Sequence, residues 1–322
     1  MKKFTSRLAI LLLLIWSFAA PAHAASTLIP GGQLLGLELR DNTVSVVGFH
    51  DTLGDAAKSA GLAKGDRILR IGKTDIRAAA DVQKALDSTD DTVELTVLRG
   101  SKTKTFTLRP PLTEDGPRLG VYLRQGITGI GTVSYYDPET GNYAALGHGV
   151  NDPSGDLLRL VSGNTYTAQV VSVKKGKIGT PGQLLGTITG TDPAGTIQSN
   201  TNQGIFGKCA KDLHGDALPV AAWNEIQTGP ATIRSTVNDQ GICEYSVEIL
   251  KIYPNAPDRC RNMLLKVTDP QLLETTGGIV QGMSGSPIIQ DGKLVGAVTH
   301  VLVNDPTMGY GIFIENMLDA AA

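Results

Sequence analysis

Between Gly277 and His300 the chain reads GGIVQGMSGSPIIQDGKLVGAVTH, a stretch that leaves its fold little freedom. Gly282-Met283-Ser284-Gly285-Ser286-Pro287 sets a small hydroxyl residue between glycines, with apolar Ile279-Val280 before it and Ile288-Ile289 after it. Glycine admits backbone angles closed to other residues, so the Ser284 hydroxyl can project from a tight turn while nearby N–H groups converge. Asp291-Gly292 marks a hairpin, and Leu294-Val295-Gly296-Ala297-Val298 is the returning strand. The unit reads as strand, serine turn, strand, hairpin, strand. A nucleophilic oxygen with N–H donors around a developing oxyanion is what acyl transfer needs, and Gly282 and Ser284 are placed to supply those donors. A Gly/Ser-rich turn between core strands is the alternative that the turn alone leaves open.

This segment is similar to the nucleophile segment of chymotrypsin-like peptidases, with one departure. Many of those enzymes carry an aspartate just before the serine to receive a newly freed N-terminal ammonium; here that position is Met283, which speaks against activation by such an ion pair. Composition agrees with a strand-rich chain: 38 glycines and only 5% aromatic residues suit short strands and tight turns. A length of 322 residues implies about two domains, and a formal charge of −2 gives no reason to expect nucleic acid as a partner.

Residues 1–24 read as a targeting segment: Lys2, Lys3 and Arg7 precede an apolar run from Leu8 to Ala20, and Ala22-His23-Ala24 fits a small-x-small cleavage site. Export across the cytoplasmic membrane is the expectation, with cleavage after Ala24 or retention as an anchor both open. Of Cys209, Cys243 and Cys260, the simplest disulfide joins Cys243 to Cys260. The odd count without C-x-x-C pairs argues against a zinc site, and no metal or organic cofactor is expected.

Residues 28–110 show the order of a small α/β domain. The string SAGLAKGDRILRIGKTDI is similar to the bacterial PDZ pattern, which implies peptide binding by strand addition. On that resemblance the backbone N–H groups of Leu34, Leu35 and Gly36 face a peptide carboxylate, and the peptide lies between the strand from Leu37 and a helix at Asp81 to Leu86. A rigid spacer that binds nothing is the other reading. Residues 111–117, with Pro110-Pro111 at their start, read as a linker, and 118–322 as a second, strand-rich domain.

In that domain Tyr143-Ala144-Ala145-Leu146 is a strand that runs straight into Gly147-His148-Gly149. A histidine at a strand end between glycines can reach a neighbouring hydroxyl without covering it, as a general base must. His300, which closes the hairpin strand, competes for that role and otherwise lines the substrate cleft.

GIGTVSYYDPETGNYAALGHGV, TDPQLLETTGGIVQGMSGSPIIQDGKLVGAVTHVLVNDPTMGYGIFIENML and the preceding PDZ-like part together resemble the SpoIVB peptidases of endospore-forming bacteria. The resemblance implies a mainly β chain, a PDZ-like domain followed by a chymotrypsin-like double β-barrel. It puts the nucleophile on Ser284, the base on His148 and an orienting carboxylate on Asp269. Asp192 fits the usual order of such enzymes better, and Asp269-Pro270 reads equally well as a helix cap. The resemblance further implies a sporulation signalling enzyme of the forespore's intermembrane space. It would cut a membrane-anchored regulator and itself, with the PDZ holding a peptide tail. A non-catalytic PDZ adaptor and a general quality-control protease are the rivals.

Overall fold

A computed structural model describes residues 27–89, 91–152, 155–210 and 214–322, so the expected targeting segment lies outside the described residues. The chain opens with β1 (Thr27–Pro30) and β2 (Leu34–Phe49). Then come α1 (Asp55–Ser59), β3 (Arg67–Ile71), β4 (Thr74–Asp75), α2 (Ala79–Asp87), β5 (Val93–Arg99) and β6 (Lys102–Leu108). A short hairpin, β7 (Leu112–Thr113) and β8 (Gly116–Pro117), leads to the long strand β9 (Val121–Tyr136). β10 (Asn142–Ala145), β11 (Ser162–Lys174), β12 (Gln183–Ile188), β13 (Gly195–Thr201), β14 (Gly204–Cys209) and β15 (Leu218–Pro219) follow.

Strands β9, β10, β14, β13, β11 and β2 pair in that order, and β2 returns to β9, which closes a first barrel of six strands. A second closed barrel is built from β16 (Gly229–Ser235), β17 (Cys243–Ile252), β18 (Met263–Val267), β19 (Pro287–Gln290), β20 (Lys293–Leu302) and β21 (Asp305–Phe313). Two helices flank its strands, α3 (Pro270–Thr276) and the terminal α4 (Ile314–Ala321). Alternation along β17 fills the interior, with Tyr245, Val247 and Ile249 buried and Glu244, Ser246 and Glu248 exposed, whereas β19 is buried along its whole length. The expected mainly β, double-barrel architecture is what the chain forms.

The two modules share strands. The first half of β2, Leu35 to Arg40, pairs with β11, and Leu34 to Leu39 pairs with β9, so these residues are barrel staves. Only from Val44 on does β2 pair with β3 and enter the PDZ sheet. β9 makes the same passage in reverse, from Val121 beside Phe49 to Thr132 beside Leu34. The PDZ module is thus inserted into the first barrel between two strands that both modules share. At the junction the register shifts between Leu39 and Val44, where the Asp41 carboxylate accepts from Thr43 N (3.0 Å) and Thr43 Oγ1 (2.6 Å). The alternation changes phase here, with Leu37 and Leu39 buried before the junction and Val44 and Val46 after it, but a change of phase does not name the partner strands.

The PDZ part has its own core of Val44, Val46, Ile68, Ile71, Val82, Leu86, Leu95 and Val97. The Lys64-Gly65-Asp66 turn is locked by Asp66, which is fully buried and accepts from Arg99 Nε (2.6 Å), Arg99 Nη2 (2.7 Å) and Ala63 N (2.8 Å). All three cysteines are free thiols, so of the arrangements left open the Cys243–Cys260 bridge is not formed; Cys260 donates to the Asn202 carbonyl at 3.0 Å.

Candidate active site

The serine turn is shaped by two left-handed glycines, Gly282 (φ +101°) and Gly285 (φ +99°). A Cβ at Gly285 would overlap the Thr132 carbonyl oxygen of β9, so glycine alone lets the turn press against the first barrel. Thr132, fully buried, holds the turn from both sides. Its Oγ1 donates to the Gly282 carbonyl (2.7 Å) and its N–H to the Ser284 carbonyl (3.1 Å). Gly285 N donates to the Val298 carbonyl (2.7 Å) and Val298 N to the Ser286 carbonyl (2.9 Å), pinning the turn to β20. With its carbonyls engaged in this way, the turn keeps two N–H groups, those of Gly282 and Ser284, without a protein acceptor among the described residues. Met283, expected to lack the activating ion pair, is fully buried in the second barrel's core.

Residues Gln281 to Gly285 are not preceded by a strand, as the sequence pattern had implied. Segment 276–281 is held instead by the hairpin arm between β11 and β12. Gly176 N donates to the Thr276 carbonyl (2.8 Å), Gln281 N to the Gly182 carbonyl (3.0 Å) and Leu184 N to the Gln281 carbonyl (2.8 Å).

His148 stands at the end of β10, after two left-handed residues, Leu146 (φ +72°) and Gly147 (φ +68°). Leu146 N donates to the Thr132 carbonyl at 3.2 Å, so one residue of β9 supports both the serine turn and the histidine loop. A Cβ on Gly147 would come within 2.9 Å of Thr299 Cγ2, and its absence lets the loop settle on β20. His148 Nδ1 lies 2.8 Å from the Gly149 carbonyl, which can only accept; Nδ1 therefore carries the proton and Nε2 is left bare. Burial holds the His148 pKa below its ordinary value of 6.5, opposed by the Gly149 carbonyl. Asn200 braces the loop that follows, through Val150 N (2.9 Å) and the Val150 and Leu158 carbonyls (2.8 and 2.9 Å).

Ser284 and His148 line one cleft of about 690 Å³ between the barrels. Its first-barrel wall includes Leu37, Leu39, Ile127 and Ile130, and its second-barrel wall Ile279, Val280, Thr299 and His300. The Ser284 hydroxyl donates to the Thr299 carbonyl at 2.8 Å. His300, the next residue, has its ring centroid 5.3 Å from that of His148, and its buried Nδ1 has no partner among the described residues. Burial, then the neighbouring His148 and Arg261, push the His300 pKa down to about 4, with Asp258 opposing. Thr132, Asn200 and Arg261 were not flagged by the sequence; each is an ordinary strand or loop residue whose partners are far away along the chain.

Two expected assignments lie away from the cleft in this geometry. Asp269 caps α3: its Oδ1 accepts from Leu272 N (2.9 Å), its Oδ2 from Ser246 N (3.4 Å), and it is not part of the cleft wall. Asp192 is exposed in the loop before β13. The group that orients the His148 imidazole here is a backbone carbonyl. Likewise Leu34, Leu35 and Gly36 form no carboxylate-binding loop, because β9 and β11 take up the backbone on the two edges of this strand. The PDZ module's cavity, about 510 Å³, lies instead between α2 and residues 118–123, lined by Val82, Leu86, Leu119 and Tyr122 among others. Over Val121 to Gln125, β9 is paired only with β2, so its other edge is open among the described residues.

Two six-stranded barrels enclosing a cleft that carries a serine turn and a glycine-flanked histidine define a chymotrypsin-like serine peptidase, here with an inserted PDZ module. The chain belongs to the SpoIVB peptidase S55 family, whose model matches residues 115–318, and a PDZ domain model matches residues 34–109. No curated protein matches the sequence. Among solved structures, the active form of the Rv3671c protease from M. tuberculosis is 14% identical, with a TM-score of 0.38 over 60% of this chain and 72% of that one. Its inactive form is also 14% identical, with a TM-score of 0.36 over 59% and 81%. Human heparin binding protein is 13% identical, with a TM-score of 0.29 over 56% and 72%.

Proposed function

We propose that this serine endopeptidase is an exported sporulation signalling enzyme that cuts a membrane-anchored regulator and its own N-terminal region, with the PDZ groove governing access. The observation that carries the catalytic part is the shared cleft: Ser284 and His148 sit in its wall beside the two unpaired turn N–H groups. In the proposed cycle the Ser284 hydroxyl leaves the Thr299 carbonyl by rotation about χ1 and gives its proton to His148 Nε2 as Oγ attacks the peptide carbonyl. The N–H groups of Gly282 and Ser284 receive the oxyanion, and His148 returns the proton to the leaving amine. Water repeats the sequence on the acyl-enzyme. The Gly149 carbonyl holds the imidazole tautomer throughout, the task a carboxylate performs in the usual triad.

A peptide tail, the chain's own or a partner's, would add as a strand to the open edge of β9 beside α2. The intermembrane space of the forespore as the working compartment rests on the family resemblance and the expected targeting segment. The test is to mix active chain with its Ser284→Ala form and with a membrane-anchored regulator in vesicles. Active chain should trim the Ser284→Ala protein near its N-terminus and cut the regulator at one place, while a His148→Gln chain does neither. Equal digestion of unfolded casein and regulator would instead identify a general quality-control protease. A folded chain whose Ser284 never reacts with a fluorophosphonate would leave only an adaptor.

A further inference from the structure

The tip of the hairpin between β11 and β12 belongs neither to the catalytic cleft nor to the PDZ groove. Lys177 and Thr180 close it with two hydrogen bonds, Lys177 N to the Thr180 carbonyl (2.9 Å) and Thr180 N to the Lys177 carbonyl (2.8 Å). Ile178 and Gly179 (φ +78°) form the apex of this tight turn. Ile178 is 82% exposed, an unusual place for a large apolar side chain on so rigid a support. Gly179 N donates to the Val303 carbonyl at 2.9 Å, which brings a second exposed apolar residue, Val303, to the tip. Lys174, Lys175 and Lys177 surround the apex, all exposed, and no carboxylate pairs with them among the described residues.

We infer that this tip is a docking point for an anionic lipid surface. The chemistry is a convex apolar apex ringed by unpaired lysines. Residues 174–180 line neither the catalytic cleft nor the PDZ cavity. An apex of this form inserts its apolar side chains at the headgroup level while the ammonium groups meet lipid phosphates. Its supports also fix what docking does. The same arm holds segment 276–281, the cleft wall beside Ser284, by backbone hydrogen bonds from Gly176 and to Gly182. A membrane-bound tip therefore carries the cleft close to the bilayer surface, within reach of juxtamembrane segments. Lipid binding itself is independent of the proteolytic reading, since it needs neither Ser284 nor His148.

The experiment uses the full chain in its Ser284→Ala form, with Trp16→Phe and Trp223→Phe so that Ile178→Trp is the only indole and a local reporter. Vesicles contain phosphatidylcholine with or without about a third phosphatidylglycerol, with brominated acyl chains for quenching. The expected result is a blue-shifted, bromine-quenched emission from position 178 that needs the anionic lipid and fades with added salt. Because the reporter sits on the tip, insertion of the N-terminal apolar segment does not produce this signal. Replacing the three lysines by glutamate should weaken vesicle partitioning of the tip on the order of a hundredfold, with thermal unfolding unchanged. Emission at position 178 that ignores anionic vesicles overturns the inference. So does quenching that is equal on neutral lipid. Loss of regulator cleavage when the three lysines are replaced in the active chain, combined with no insertion of position 178 in the lysine-bearing protein, also overturns it, and would assign the tip to an acidic protein segment.

Discussion

Thr132→Val removes one oxygen and keeps the side-chain shape. In the native protein that oxygen donates to the Gly282 carbonyl at 2.7 Å from a fully buried position. Valine leaves the carbonyl of the first oxyanion residue without its partner, at a cost of about 1–3 kcal/mol. The Gly282 peptide is then free to tilt, so its misalignment is felt where charge develops. If the whole penalty reaches the transition state, kcat/KM falls by roughly 5- to 150-fold, reaching at most the low end of the roughly 10²- to 10³-fold typical of losing an oxyanion donor outright. KM should stay nearly constant, since the ground-state carbonyl makes weaker use of the hole. The assay is hydrolysis of a quenched fluorescent peptide together with the acylation rate of Ser284 by a fluorophosphonate. Thr132→Ser, which restores the hydroxyl, should recover most of both. Acylation at the native rate in Thr132→Val, with only a lowered Tm, would show that the clamp serves the fold and not the oxyanion turn.

Asp269→Ala should lower stability by about 0.5–2 kcal/mol through loss of the α3 cap and leave peptide hydrolysis within about threefold of native. A loss of several orders of magnitude in kcat at an unchanged Tm would return Asp269 to the triad. Gly285→Ala forces a side chain against the Thr132 carbonyl at φ +99°, and is expected to abolish activity and cost at least ~2 kcal/mol by denaturant melt. For pH, both cleft histidines have folded pKa values below the unfolded one, so the unfolded state takes up protons first on acidification. Stability should decline as pH falls from 6.5 toward about 4, the folded value of His300, and His300→Gln should remove part of that slope. The acid limb of kcat/KM should likewise lie below pH 6.5, because His148 stays neutral longer than a free imidazole; a midpoint at or above 6.5 would contradict the burial argument.

The serine turn and the histidine were legible because each carries its chemistry within a few residues, bracketed by glycines that only unusual backbone angles require. Ser284 and His148 need no distant partner to be noticed. Thr132 does: its meaning comes from Gly282, Ser284 and Leu146 converging on it from other parts of the chain. The α/β part was recognisable from its Lys64-Gly65-Asp66 turn, whose aspartate the structure buries against Arg99. The placement of Leu34 to Gly36 was not. A strand's alternation records that one face is buried, and says nothing about which neighbours take its hydrogen bonds. Asp269-Pro270 illustrates the same limit on a smaller scale, since an aspartate before a helical proline satisfies a cap and a catalytic hypothesis equally until its partners, Leu272 N and Ser246 N, are known.

The absence of an acidic residue at Met283 finds its physical counterpart in the hairpin arm. Where relatives of this fold use a buried ammonium–carboxylate pair to set the oxyanion turn, that pair must form after cleavage, and the turn is ordered only then. Here the corresponding side chain is an apolar plug, fully buried among Val280, Ile288 and Val298. The turn is fixed by Thr132 on one side and by Gly176, Gly182 and Leu184 through segment 276–281 on the other. None of these contacts requires a new chain terminus. The oxyanion turn is therefore set without a cleavage step, and the proposed control through access to the cleft does not need one. The two strands shared with the PDZ module, β2 and β9, bring that module's open edge onto the same strand that carries Thr132.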